Sequence, residues 1–175
     1  MTTKKIIKFV VPFLMIVIIA IIWISQNQSI FSEKGMLSMN DYEYILRATN
    51  IDLELLKENN LPIIINFSAD NCTPCKKIEP ILEMLHKEMQ GKVIIHSIDV
   101  WENQEFTREF PIQVTPTQVI INSDGTPYIP SNDISKMLKF SMYNSKDGKD
   151  HTITTHQGAL SENQLRSIMS DMGVE

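Results

Sequence analysis

The stretch from Leu61 to Gln90 constrains this chain more than any other. Leu61 to Phe67 reads LPIIINF, a short β-branched run that suits a buried strand. Ser68-Ala69-Asp70-Asn71 then turns the chain into Cys72-Thr73-Pro74-Cys75. From Lys76 to Gln90, Ile78, Ile81, Leu82, Leu85 and Met89 recur at helical spacing, with Lys76, Lys77, Glu83, Lys87 and Glu88 on the opposite side. The two cysteines therefore lie at a strand–turn–helix junction, and Cys72 occupies the positive end of the helix.

That placement carries chemistry. Free backbone N–H groups and the helix dipole stabilise a thiolate at Cys72 and lower its pKa below the free-thiol value. Cys75, inside the first turn, is close enough to attack a mixed disulfide formed on Cys72. Pro74 stiffens the turn at a helix position where no N–H is required. The expected cycle is attack by Cys72 on a partner disulfide and resolution by Cys75. A structural disulfide is a second reading, but a bridge across two residues closes too small a loop to stabilise much. A third reading is a copper-carrying chaperone that binds through Cys72, Cys75 and a histidine. Its candidates are His86, His96, His151 and His156, none at recognised zinc spacing from a second cysteine pair. Met137 and Met142 could join such a site; the plainer expectation is that these methionines fill a core and that His151 and His156 sit on a hairpin.

The rest of the chain sets the context. Phe9 to Ile24 (FVVPFLMIVIIAIIWI) is uncharged and, with Ile6 and Ile7, approaches the length of a bilayer core. Lys4, Lys5 and Lys8 precede it, so the positive-inside rule leaves the N-terminus cytoplasmic and the remainder extracytoplasmic. No Ala-x-Ala-like cleavage site follows, so residues 1–25 read as an uncleaved, single-pass signal anchor in the cell membrane. Residues 26–37 read as a linker and residues 38–175 as one domain. Ser38 and Asp41 begin a helix with Tyr42, Ile45 and Leu46 on one face, and Asp52 to Glu58 forms another. The net charge of −5 becomes −8 from residue 26 onward, with 13 basic against 21 acidic residues. A surface that acidic repels phosphate backbones, so nucleic acid is not an expected partner. Six glycines and no phosphate loop leave little basis for nucleotide binding.

Taken together, LPIIINFSAD, Cys72-Thr73-Pro74-Cys75 and Pro80, five residues after Cys75, resemble the thioredoxin family. Lys92 to Asp99 (KVIIHSID) is similar to the family's next strand, and Phe110 to Thr117 (FPIQVTPT) to its segment ending in a cis-proline, here Pro116. Val119-Ile120-Ile121 with Asp124-Gly125, and Gly158 before a C-terminal helix capped by Ser161 and Gln164, complete the match. The resemblance implies an α/β thioredoxin-like fold, a central mixed sheet flanked by helices, with a transmembrane helix added at the N-terminus and an insertion at about 126–150 before the last strand. It implies catalysis by Cys72 and Cys75 as a redox-active disulfide, with no other cofactor and no metal. Thr115 and Pro116 would bind substrate, because the backbone beside a proline that lacks an N–H is left open to an extended client strand. Thr73, Pro74, Asn66 and Pro80 would support the site.

Several departures from the family pattern bear on mechanism. The family's buried acid, six positions before the first cysteine, is Asn66 here, so Cys75 must lose its proton by another route: water, Asp70 or His96. Asn71 stands where the family has tryptophan. Between Gly125 and Gly158 lie 32 residues where the family has a short hairpin strand. The absence of a histidine between the cysteines places the chain on the reducing side of the family. The expectation is an extracytoplasmic protein-disulfide reductase whose clients are disulfide-containing proteins, apocytochrome c among them, recharged by a membrane thiol-electron donor.

Overall fold

A computed structural model describes residues 46–49 and 51–175, all in the second of two compact units, Met39–Glu175. The expected anchor (1–25), the linker (26–37) and the helix start at Ser38 lie outside the described residues. Among the described residues no helix is long and apolar enough to cross a membrane.

The elements run α1 (Leu53–Lys57), β1 (Ile63–Ser68), α2 (Thr73–Glu88), β2 (Ile94–Asp99), α3 (Gln104–Thr107), β3 (Thr117–Ile121), α4 (Asn132–Met137), β4 (Ser141–Asn144), β5 (His151–Gln157) and α5 (Glu162–Asp171). The sheet order is β2-β1-β3-β5-β4. Strands β1 and β2 are parallel and the other pairings antiparallel, so the sheet is mixed. The β1–β2 crossover is α2, as a parallel pair requires a long connection.

Alternation along β1 sorts the two cores. Ile64 points with Ile95 and Ile120 toward Ile78, Leu82 and Leu85 of α2 and Leu165, Ile168 and Met169 of α5. Ile63, Ile65 and Phe67 point the other way, onto Leu56 of α1 and Phe110. Phe67, Phe106 and Phe110 pack there as an aromatic trio with centroids 4.9–6.2 Å apart. The mixed sheet flanked by helices, implied by the resemblance, is what the chain forms.

Local chemistry explains the element ends. Helix α2 begins at Thr73 rather than Lys76 because Cys72 itself serves as N-cap. Pro62 donates nothing to the ladder, but its carbonyl accepts from Ile94 N at 2.9 Å just before β1 starts. The capping box at α5 is complete, with Ser161 and Gln164 bonding each other's backbone N–H. In the 126–150 region the run KMLKFSMY is divided. Ser131 caps the short helix α4, Leu138 turns extended, and Ser141–Asn144 becomes the strand at the sheet edge. The expectation that Met137 and Met142 fill a core is corrected: both are about half exposed, Met142 because its place in β4 turns it outward.

Candidate active site

Cys72 and Cys75 form a disulfide. Cys72 has extended backbone, and its Sγ accepts a hydrogen bond from the Cys75 N–H at 3.1 Å. Thr73 and Pro74 fill the first helical positions, both exposed, and Pro74 sits where its missing N–H costs nothing. The first turn carries no acid, and Lys76 and Lys77 follow it. Each of these features favours negative charge on the Cys72 sulfur once the disulfide is opened. Pro80 lies inside α2 and leaves the Lys76 carbonyl without its usual donor.

The second wall of the site comes from 43 residues away. The Thr115–Pro116 peptide bond is cis, and the Thr115 carbonyl oxygen lies 3.4 Å from Cys72 Sγ. In the disulfide that sulfur carries no hydrogen, so the approach is a contact; a reduced thiol there would donate to the carbonyl. Two bonds pin the loop: Gly158 N donates to the Pro116 carbonyl at 2.8 Å, and Thr117 Oγ1 donates to the Val114 carbonyl at 2.7 Å. Gly158 has φ +110°, a region that disfavours side chains.

The two cysteines face different spaces. Cys72, half-buried, opens onto a groove of about 560 Å³ with Thr115, Val114, Trp101, Arg108 and Asn71 among its walls. Trp101 is 70% exposed, a large apolar surface left to solvent. Cys75 is only 4% exposed and borders a separate cavity of about 110 Å³. Asn66 and Asp70 line that cavity too.

Asn66 is 1% exposed and fully engaged across the sheet. Its Nδ2 donates to Ser97 Oγ at 3.2 Å, and its Oδ1 accepts from Gln118 Nε2 at 2.8 Å. These partners sit directly beside it in register on β2 and β3, and His156 of β5 continues the row beyond Gln118. A neutral amide with both ends bonded holds the sheet but takes no proton. His96 does not serve either: it alternates onto the face of Ile94 and Ile98, opposite to Ser97 and the cavity. Of the side-chain routes suggested by the sequence, Asp70 alone reaches the space around Cys75.

The copper reading is corrected here. Among the described residues no three His, Cys, Asp or Glu side chains are grouped to hold a metal. His86 Nδ1 lies 3.0 Å from the Ile95 carbonyl and His156 Nδ1 2.9 Å from the Lys139 carbonyl. Burial pushes the His156 pKa below its ordinary value, against the bond to Lys139. Sequence reasoning missed Trp101 and Val114. The signal for Trp101 was an aromatic directly after a strand end, in a segment with no apolar period; nothing local marked Val114.

Comparison with known proteins agrees with this geometry. The Thioredoxin family profile matches residues 44–134, just over half of the chain. Thioredoxin H4 of Arabidopsis thaliana is 37% identical over 73 residues, covering 42% of this chain and 61% of that protein. The thioredoxin of Rickettsia conorii is 35% identical over 66 residues, covering 38% and 63%. That of Haemophilus influenzae is 35% identical over 80 residues, covering 45% and 75%. The matches thus span less than two thirds of the first two relatives. A crystal structure of chloroplastic thioredoxin z superposes with a TM-score of 0.50 at 25% identity, over 74% of this chain and 94% of that one. With the family profile on the same strand, turn and helix that build the Cys72–Cys75 site, this chain belongs to the thioredoxin family.

Proposed function

We propose that the protein is a thiol–disulfide oxidoreductase that reduces protein disulfides. The observation that supports this most is the asymmetry of the CxxC pair, with Cys72 open to a groove beside Thr115 and Cys75 closed behind it. In the reduced protein the Cys72 thiolate attacks a client disulfide, forming a mixed disulfide and releasing one client thiolate. The Cys75 thiolate then attacks Cys72 Sγ; the Cys72–Cys75 bond forms, the bond to the client breaks, and the second client thiolate leaves. Two electrons pass from the cysteine pair to the client. No further cofactor enters this cycle. The backbone at Thr115, on the groove wall, offers an extended client strand a pairing edge next to the sulfur.

The reducing direction rests on the lack of a histidine between the cysteines. The charge pattern around Phe9–Ile24 supports a membrane-anchored protein with its thioredoxin domain outside the cytoplasm. A reductase there needs a membrane thiol-electron donor, and apocytochrome c is a fitting client because its cysteines must be free before haem attachment. The test is insulin reduction by the full chain in detergent, together with the potential of the Cys72–Cys75 pair. We expect turnover and a value nearer about −270 mV than −120 mV; one above about −160 mV reverses the direction. In intact cells first treated with a membrane-impermeant reductant, a membrane-impermeant maleimide should label Cys72, and protection from it after that reduction defeats the extracytoplasmic placement.

A further inference from the structure

Resolution requires a thiolate at Cys75, and burial makes that the harder of the two ionisations. Cys75 is 4% exposed, and Asn66, a sheet residue lining the same cavity, is an amide already bonded at both ends. The proton must therefore leave through the cavity of about 110 Å³, which is large enough for several waters and has polar walls to hold them.

Six charged groups line this space: Arg47, Asp70, Lys76, Glu79, Asp99 and Glu102. Arg47 is ion-paired with Glu79, so that carboxylate is already engaged. Asp99 Oδ1 accepts from the Trp101 and Glu102 N–H groups at 2.7 and 3.2 Å, so that carboxylate is already engaged with its own turn. Lys76 is a cation and serves only to favour a thiolate. Asp70 and Glu102 remain. Asp70 belongs to the turn that ends at Cys72, next to the Ala69 carbonyl that accepts from Cys72 N at 3.1 Å. Glu102 lies in the turn beyond β2, whereas Asp70 shares its turn with Cys72. Asp70 is exposed, so a proton taken inside the cavity can pass on to solvent.

We infer that Asp70, acting through water in this cavity, accepts the Cys75 proton in the resolving step. The S–H bond of Cys75 breaks, a water passes its proton to the Asp70 carboxylate, and the thiolate closes the Cys72–Cys75 disulfide. The departing client thiolate takes its proton from solvent on the groove side, and Asp70 returns its own to solvent. Asp70 is a positioning residue: it touches neither sulfur. This inference rests on the oxidoreductase reading.

The test is stopped-flow reduction of a fluorogenic disulfide peptide by the full chain between pH 5.5 and 8, resolving the Cys72 attack from the Cys75 closure. For the unaltered protein the closure rate should vary by less than about threefold, because a carboxylate does the work. In Asp70→Asn it should fall about tenfold per pH unit, following the thiolate fraction alone, and be slower by about 10² at pH 5.5. The attack phase, which also reports correct folding, should stay within about twofold. Asp70→Glu should restore the level profile, and Glu102→Gln should leave both phases unchanged. Parallel profiles for Asp70→Asn and the unaltered protein overturn the inference, as does a displaced profile in Glu102→Gln. A protein whose Cys72 never attacks the peptide overturns the oxidoreductase reading itself, an outcome distinct from the other two.

Discussion

The sulfurs of Cys72 and Cys75 are bonded to each other, yet the regions around them have little in common. On the Cys72 side lies a wide groove with an exposed tryptophan and Thr115 on its wall. On the Cys75 side lies a cavity about one fifth of that volume, its walls crowded with charge. The difference fits the proposed reaction. There Cys72 receives a bulky client, and its surroundings are wide and open. There Cys75 meets only Cys72 and gives up a proton, and its surroundings are small and polar.

The largest effect should come from exchanging the two sulfurs for oxygen. Cys72→Ser should lose essentially all client reduction, because Cys75 is walled off from the groove. Cys75→Ser should still react and then stall, accumulating clients as mixed disulfides that diagonal electrophoresis displays. If Cys72→Ser is the variant that traps clients, the assignment of groove and cavity is inverted. A smaller effect should come from the groove wall. Trp101→Ala should lower kcat/KM for a protein disulfide by about tenfold, on the order of 1–2 kcal/mol for an aromatic anchor that the client covers. Reduction of a small soluble disulfide should hardly change. Equal losses for both substrates would mean that Trp101 supports the turn rather than the client.

The smallest effect should lie away from both spaces. His156 has its pKa lowered in the folded chain, chiefly by burial. Its contribution to stability is therefore complete above the ordinary histidine value of about 6.5 and is lost as pH falls below it. Thermal melts between pH 7.5 and 5.5 should show a decline in Tm that is shallower in His156→Gln, while exchange kinetics above pH 7 stay the same. An identical slope in the variant would remove His156 from the acid response.

Much of this arrangement was legible beforehand, where it depends on neighbours in the chain. The run LPIIINF, the helical period from Ile78 to Leu85 and the Ser161–Gln164 cap are local signals, and each element formed within two or three residues of its expected ends. What local pattern could not convey was convergence. The Cys72 groove is closed by Trp101 and Val114, which come from two separate loops. The edge region was obscure for another reason: KMLKFSMY has apolar residues enough for either period, and Ser131 decides that its first part is helical. The outward turn of Met142 followed only once β4 had its register against β5.

The N-cap of α2 has a last consequence. In the disulfide the Cys72 sulfur is a neutral, weak acceptor for the Cys75 N–H. After reduction the same sulfur, as a thiolate, becomes a charged cap for that group. A thermodynamic cycle joins the two: any free energy the charged cap adds to the folded dithiol appears, with the same magnitude, in the couple. At about 30 mV for each 1.4 kcal/mol, a stronger cap makes the protein more oxidising and a weaker one makes it more reducing. Helix stability and electron affinity are thus one quantity measured by two instruments. A melt of the reduced protein compared with a melt of the oxidised one is, in effect, a voltmeter.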